Sequence, residues 1–112
     1  MYITLPEGDP FAFAGLWEVW NPKDDPDNIY KSCTIITTQS SESVREIHHR
    51  MPAILKPENY ETWLDPLNQD VKALENILKM GIVTELVSRP VSKDVNSVRN
   101  NDPSNIVPLS GV

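Results

Sequence analysis

Ten prolines are spread along these 112 residues, and they confine the chain to short elements joined by loops. Proline donates no backbone hydrogen bond and fixes its own φ, so it stops helices and stays out of central strands. With 39% hydrophobic residues, what lies between the prolines can bury a modest core. The chain is one domain at most, or part of one.

Taken in order, the segments read as strands first and helices later. Tyr2–Leu5 is a short strand, and Pro6–Pro10 is a turn by composition. Phe11–Trp20 is an aromatic strand kinked or closely approached at Gly15, forming a hairpin with the first strand. Asn21–Asn28 is a charged loop. Ile29–Thr38 holds the densest β-branched run and is a second strand. Ser40 or Ser41 caps a helix from about Glu42, with Val44, Ile47 and His48 at helical spacing on its buried face. Met51–Leu55 is extended. Pro57–Leu64 is a short helix whose apolar face is Tyr60, Trp63 and Leu64. A second helix, capped by Asn68 or Asp70, carries the stripe Val71, Leu74, Ile77, Leu78 and ends at Gly81. Thr84–Ser92 is a strand bent or placed at an edge by Pro90. Beyond Asn96 the chain is rich in Asn, Asp, Ser and Pro.

The net charge of −6 argues against coating long nucleic acid by bulk electrostatics. Its distribution is uneven. Glu7, Asp9, Glu18, Asp24, Asp25 and Asp27 face only Lys23, whereas Arg45, Arg50 and Lys56 face only Glu46. A small basic patch on an acidic body can hold a few phosphates. The N-terminus lacks a signal-peptide pattern, and no apolar run is long enough to span a bilayer. One cysteine cannot form an internal disulfide, which fits a reducing, cytoplasmic setting.

The chemistry concentrates in Glu46-Ile47-His48-His49-Arg50-Met51-Pro52-Ala53-Ile54-Leu55. Imidazole titrates near neutrality, and guanidinium offers a rigid fork of donors for phosphate or carboxylate. For His48 two readings stand: a half-buried helix histidine bonded to a carbonyl, or an acid–base group in a cleft. Arg50 is either a surface partner of Glu46 at i, i+4 or an anion clamp. Thr37 either follows β-propensity plus a cap or holds a phosphate at a strand-to-helix junction. Cys33 reads as a buried, inert thiol. Adjacent His48 and His49 point apart, and no metal-ligand spacing is present, so neither metal nor cofactor is expected.

Four stretches occur in one order: Phe11-Ala12-Phe13-Ala14-Gly15-Leu16-Trp17-Glu18, Cys33-Thr34-Ile35-Ile36-Thr37-Thr38, Ile47-His48-His49-Arg50-Met51-Pro52 and Val95-Asn96-Ser97-Val98-Arg99-Asn100-Asn101. Together, from about Tyr2 to Pro108, they resemble the C-terminal half of the SOS response-associated peptidase (SRAP) family. The resemblance implies an α+β fold, a mixed, mostly antiparallel, barrel-like sheet with short helices. It assigns 1–108 to the C-terminal part of that domain and leaves 109–112 as a disordered tail.

Proteins of that family crosslink to abasic sites in single-stranded DNA and carry a thiol autopeptidase activity in the DNA-damage response. The resemblance makes His48 a catalytic residue lining the active site, Arg50 and Thr37 DNA contacts, Met51 and Pro52 cleft wall, and His49 peripheral. Asn96 and Arg99-Asn100 match family positions without an assigned role. The family's nucleophile is a cysteine directly after the initiator methionine, where this chain has Tyr2. The family's catalytic glutamate lies upstream of the stretch matched here, so the resemblance makes Trp17 core and Glu18 a structural carboxylate. The expectation is therefore a half-domain, inactive in crosslinking alone. Its partners would be abasic single-stranded DNA and a complementing N-terminal half or a second copy. The rival reading is a non-catalytic interaction module, since a half-domain leaves edges and apolar faces uncovered.

Overall fold

Three residues that belong to no strand hold the fold together. In the computed structural model, which describes residues 1–109, Ala14 donates its backbone N–H to Ala53 O (2.7 Å). Ala53 donates in turn to Ile36 O (2.8 Å), and Ile36 to Ala14 O (2.9 Å). These bonds close a ring at the point where three extended segments change partners. The segments are β2 (Ala12–Phe13) with β3 (Gly15–Trp20), β4 (Tyr30–Ile35) with β5 (Thr37–Gln39), and β6 (Arg50–Pro52) with β7 (Ile54–Leu55). On leaving the ring, β2 pairs with β7, β3 with β4 and β5 with β6, all antiparallel. Ala14 and Ala53 are 0% and 1% exposed, so the ring has room for a methyl group and little more. Gly15 follows directly, and a Cβ there would sit 3.1 Å from Thr34 O, which is why the hairpin base requires glycine or a small shift.

The remaining strands are β1 (Tyr2–Thr4) and β8 (Val87–Arg89), which pair with each other across nearly the whole chain. The hairpin expected between the first two strands is therefore not formed. Phe11–Trp20 splits at Ala14, and each half is claimed by a partner other than β1. The strand expected over Thr84–Ser92 contracts to Val87–Arg89, before Pro90. Among the described residues the fold is mixed α and β, with four two-stranded antiparallel ladders and no closed barrel.

Packing is strong on one side of the ring. Ala14, Ala53, Leu55 and Ile77 form a buried cluster, and Tyr60, Trp63, Leu74 and Leu78 pack against it. The last four come from α1 (Tyr60–Leu64) and α2 (Val71–Met80). Of the two caps the sequence offers, Asn68 and Asp70, the Asp70 carboxylate is the one that caps α2, accepting from Ala73 N at 3.2 Å. Gly81 closes it through an N–H bond to Ile77 O at 2.8 Å. Leu64 and Val71 depart from expectation and lie exposed. The single turn of α1 directs Tyr60 and Trp63 inward, and Trp63 Nε1 donates to Gly15 O at 3.1 Å.

The β3–β4 hairpin has no such support. Trp17, read as core, is 71% exposed, and Cys33, read as buried, is exposed too. Past the ring these two strands pair only with each other. The radius of gyration is 18.0 Å, with extents of 56 × 35 × 23 Å. A compact chain of this length would have a radius of about 13 Å. The C-terminal segment forms 3-10 turns at Lys93–Asn96 and Pro103–Ile106. Of the tail expected at 109–112, Leu109 donates its N–H to Pro90 O at 3.1 Å, and residues 110–112 lie outside the described residues.

Candidate functional site

The loop between β5 and β6 carries the basic residues, and Ser40 shapes it. Ser40 is the one buried polar residue among those described, 3% exposed. Its N–H donates to His49 O (3.0 Å) and its Oγ donates to His48 O (2.6 Å). The loop is thereby closed just beyond the Gln39–Arg50 pair that ends the ladder. Within it the helix expected from Glu42 is replaced by successive turns. Val44 and Arg45 donate to Ser41 O, and Ile47 and His48 donate to Val44 O. Serine side chains offer the backbone other partners and so compete with helix. Here Ser43 Oγ donates to Thr84 O (2.7 Å) and accepts from Leu86 N (3.2 Å), tying the loop to the distant 84–86 segment. Of the three residues at helical spacing only Val44 is buried; Ile47 and His48 are exposed.

Exposure leaves the His48 ring free on one side. Its Nδ1 lies 3.2 Å from Arg50 N and 3.1 Å from Arg50 O. One tautomer accepts from that N–H; the other donates to that carbonyl. The imidazole can therefore exchange tautomers without leaving its seat, while Nε2 has no protein partner among the described hydrogen bonds. The His49 ring, expected to be peripheral, stacks on His48 with centroids 4.6 Å apart and planes 20° apart. Adjacent side chains point apart in helix or strand; the turn at this position lets the two rings lie together.

Arg50 does not depend on Glu46, because the i, i+4 relation has no meaning outside a helix. Its Nη2 instead donates to both Thr37 O and Thr37 Oγ1, each at 2.9 Å. Thr37 pairs with Pro52 in the ladder, so strand register brings this threonine under the guanidinium. His48 and Arg50 are the polar members of one apolar concavity of about 310 Å³, whose wall includes Met51, Pro52, Ile3, Phe11 and Phe13. Met51 is 4% exposed, and its Sδ receives Ser41 N–H at 3.4 Å. Thr37 opens on a second concavity, with Thr38, Glu75 and Lys79. Arg50 thus lines the first hollow and donates to a residue that lines the second.

The other candidates lie elsewhere. Cys33 and Glu18 are on the β3–β4 hairpin. Asn100 Nδ2 donates to Asp94 O, and Arg99 N to Ser97 Oγ, both within exposed C-terminal turns. Among the described residues no group of three His, Cys, Asp or Glu side chains is assembled for a metal. Sequence reasoning missed Ser40 as the residue that closes the loop, and it read Phe11 and Phe13 only as strand residues. The phenylalanines reach the site through pairing of β2 with β7, which no local pattern announces.

Comparison with known proteins gives a consistent result. The family model described as SOS response associated peptidase (SRAP) matches residues 1–98. Abasic site processing protein YoqW of Bacillus subtilis is 44% identical over 104 residues, which cover 92% of this chain and 45% of that protein. Abasic site processing protein HMCES of Gallus gallus is 41% identical over 99 residues, covering 88% and 29%. A crystal structure of a protein from Bacteroides thetaiotaomicron has the same fold, with a TM-score of 0.70 at 24% identity over 96% of this chain and 47% of that one. The chain spans less than half the length of each of these proteins.

Proposed function

This chain belongs to the SOS response associated peptidase (SRAP) family, and on that premise we propose that it supplies one wall of a pocket for abasic sites in single-stranded DNA. Arg50 grips a phosphate beside the lesion, with Thr37 holding its guanidinium in place. His48 moves protons through Nε2. The reaction implied by the family resemblance joins the amine and thiol of an N-terminal cysteine to the aldehyde of the opened sugar. One C–N and one C–S bond form, one water leaves, and the product is a thiazolidine. His48 protonates the departing hydroxyl. The cysteine and its partner glutamate come from the part of the relatives that this chain does not match, as does the thiol autopeptidase chemistry.

The observation that carries this reading is that His48 and Arg50 border one concavity while the outward nitrogen of His48 has no protein partner. We extend the family domain to about residue 108, since Val91 bridges to Pro108 beyond the matched residues. In the whole protein the ladders would complete a barrel-like sheet, and its place of work would be the cytoplasm. The test is incubation of the chain with an abasic single-stranded oligonucleotide, resolved under denaturing conditions. No covalent band is expected. A covalent band that disappears in Cys33→Ser would overturn the claim that the nucleophile comes from elsewhere.

A second reading, that of an interaction module without chemistry, is favoured by the bare β3–β4 hairpin. It predicts a stable dimer whose mass is indifferent to added oligonucleotide.

A further inference from the structure

We propose that His49 is a positioning residue: its ring, stacked on His48, holds that imidazole in the orientation that leaves Nε2 open at the edge of the hollow. The proposal rests on the reading that His48 moves protons there. By itself the His48 ring is weakly held. The side chain is exposed, and among the described residues its hydrogen-bond contacts are Nδ1 to Arg50 N at 3.2 Å and Nδ1 to Arg50 O at 3.1 Å. Both distances lie at the long end of the hydrogen-bond range, and each tautomer makes only one of the two bonds. Exposed side chains change rotamer within picoseconds to nanoseconds unless something further restrains them. A proton carrier needs its reacting nitrogen kept in place, because a misplacement of about 1 Å can cost about a hundredfold in rate.

The second restraint is the neighbouring ring. The His48 and His49 centroids are 4.6 Å apart and the planes 20° apart, within the range of an offset-stacked aromatic pair. Adjacent side chains take opposite sides of a strand and diverge around a helix, so the contact exists only because the chain turns here. One buried serine fixes that turn. Ser40 N–H donates to His49 O at 3.0 Å and Ser40 Oγ donates to His48 O at 2.6 Å, which ties both histidine carbonyls to the same residue. His48 borders the hollow and His49 does not. The stack therefore acts on His48 from outside the hollow and leaves the space for substrate clear. A stack of this kind uses the flat ring and not its nitrogens, so a phenyl group at position 49 can do the same work.

The experiment is nuclear magnetic resonance on the full chain. Three-bond couplings report the χ1 rotamers of His48, and an Overhauser contact between its ring and the Arg50 amide reports its seat. The unsubstituted chain should show one dominant rotamer and the contact. His49→Ala should lower the ratio of that rotamer to the others by roughly two- to tenfold, the factor an aromatic pair supplies, and weaken the contact. His49→Phe should restore both. In each variant the Gln39–Arg50 pairing, read from cross-strand contacts, should persist. The proposal falls if His48 is already averaged in the unsubstituted chain, if it stays fixed in His49→Ala, or if His49→Phe fails to restore it. It falls as well if His49→Ala dissolves the Gln39–Arg50 pairing, which would make His49 a residue of the loop and nothing more. Adding a single-stranded oligonucleotide with an abasic site reads the site separately. His48 ring resonances that ignore the oligonucleotide, in a ring still fixed by His49, would remove the proton-carrier reading and leave the stacking role standing.

Discussion

The same three extended segments behave in opposite ways on the two sides of the Ala14–Ile36–Ala53 ring. Toward β6 and β7 they are sealed by α2 and by the 82–86 segment, and Ile54, Leu55 and Met51 are each under 5% exposed. Toward β3 and β4 every strand residue of the hairpin past Gly15 is exposed. Both sides carry β-branched residues, and the bare side carries more of the aromatic ones. What decides exposure is the cover. Stability in this chain therefore resides where helices meet strands, and the bare arm contributes little until something packs on it.

That contrast can be broken by substitution. Ile77→Ala removes a buried anchor of α2 and should cost about 2–5 kcal/mol, measured by urea denaturation. Trp17→Ala deletes a larger side chain from the hairpin yet should change stability by no more than about 0.5 kcal/mol. Equal losses at the two positions would end the comparison.

Between these extremes lie two local features of the sealed side. A Cβ at Gly81 would collide with the Asn59 side-chain amide, which itself donates to Gly81 O, and would lie 3.0 Å from Ile77 O. Gly81→Ala should cost about 1–3 kcal/mol, as overpacking does. Ser40→Ala removes the hydroxyl that donates to His48 O from a buried position. It should cost about 1–3 kcal/mol and loosen the His48 loop, visible as faster exchange of the His48 and His49 amides.

The smallest effect is at Asp102, outside both regions. Its carboxylate accepts the backbone N–H and the hydroxyl of Ser104, which hold its pKa below the ordinary value of 3.8. A folded pKa below the unfolded one gives a contribution present above the unfolded value and lost as pH falls through the folded one. The Ser104 amide resonance should titrate with a midpoint below 3.8. A midpoint at or above that value would remove the hydrogen bond from the account.

Legibility follows the range of the forces involved. The caps of α2 at Asp70 and Gly81 depend on residues a few positions away and can be read from the chain. The basic stretch is legible as chemistry because its residue types are rare together. The partner exchange at Ala14, Ile36 and Ala53 is a long-range event, and two alanines carry no sign of it. Val44, Ile47 and His48 fit a helix by spacing, but three positions cannot outweigh a serine, Ser43, bonded to a residue 41 positions away in sequence. Trp17 and Cys33 show the converse: the pattern identifies residues suited to burial without showing what buries them.

The central claim is that Arg50, seated on Thr37 and opening on the hollow it shares with His48, grips a phosphate of single-stranded DNA. The most direct test is the salt dependence of binding to an oligonucleotide with a single abasic site, compared between this chain and Arg50→Ala. Loss of one phosphate contact should reduce the log–log slope by about 0.7. Identical slopes for the two proteins would contradict the account.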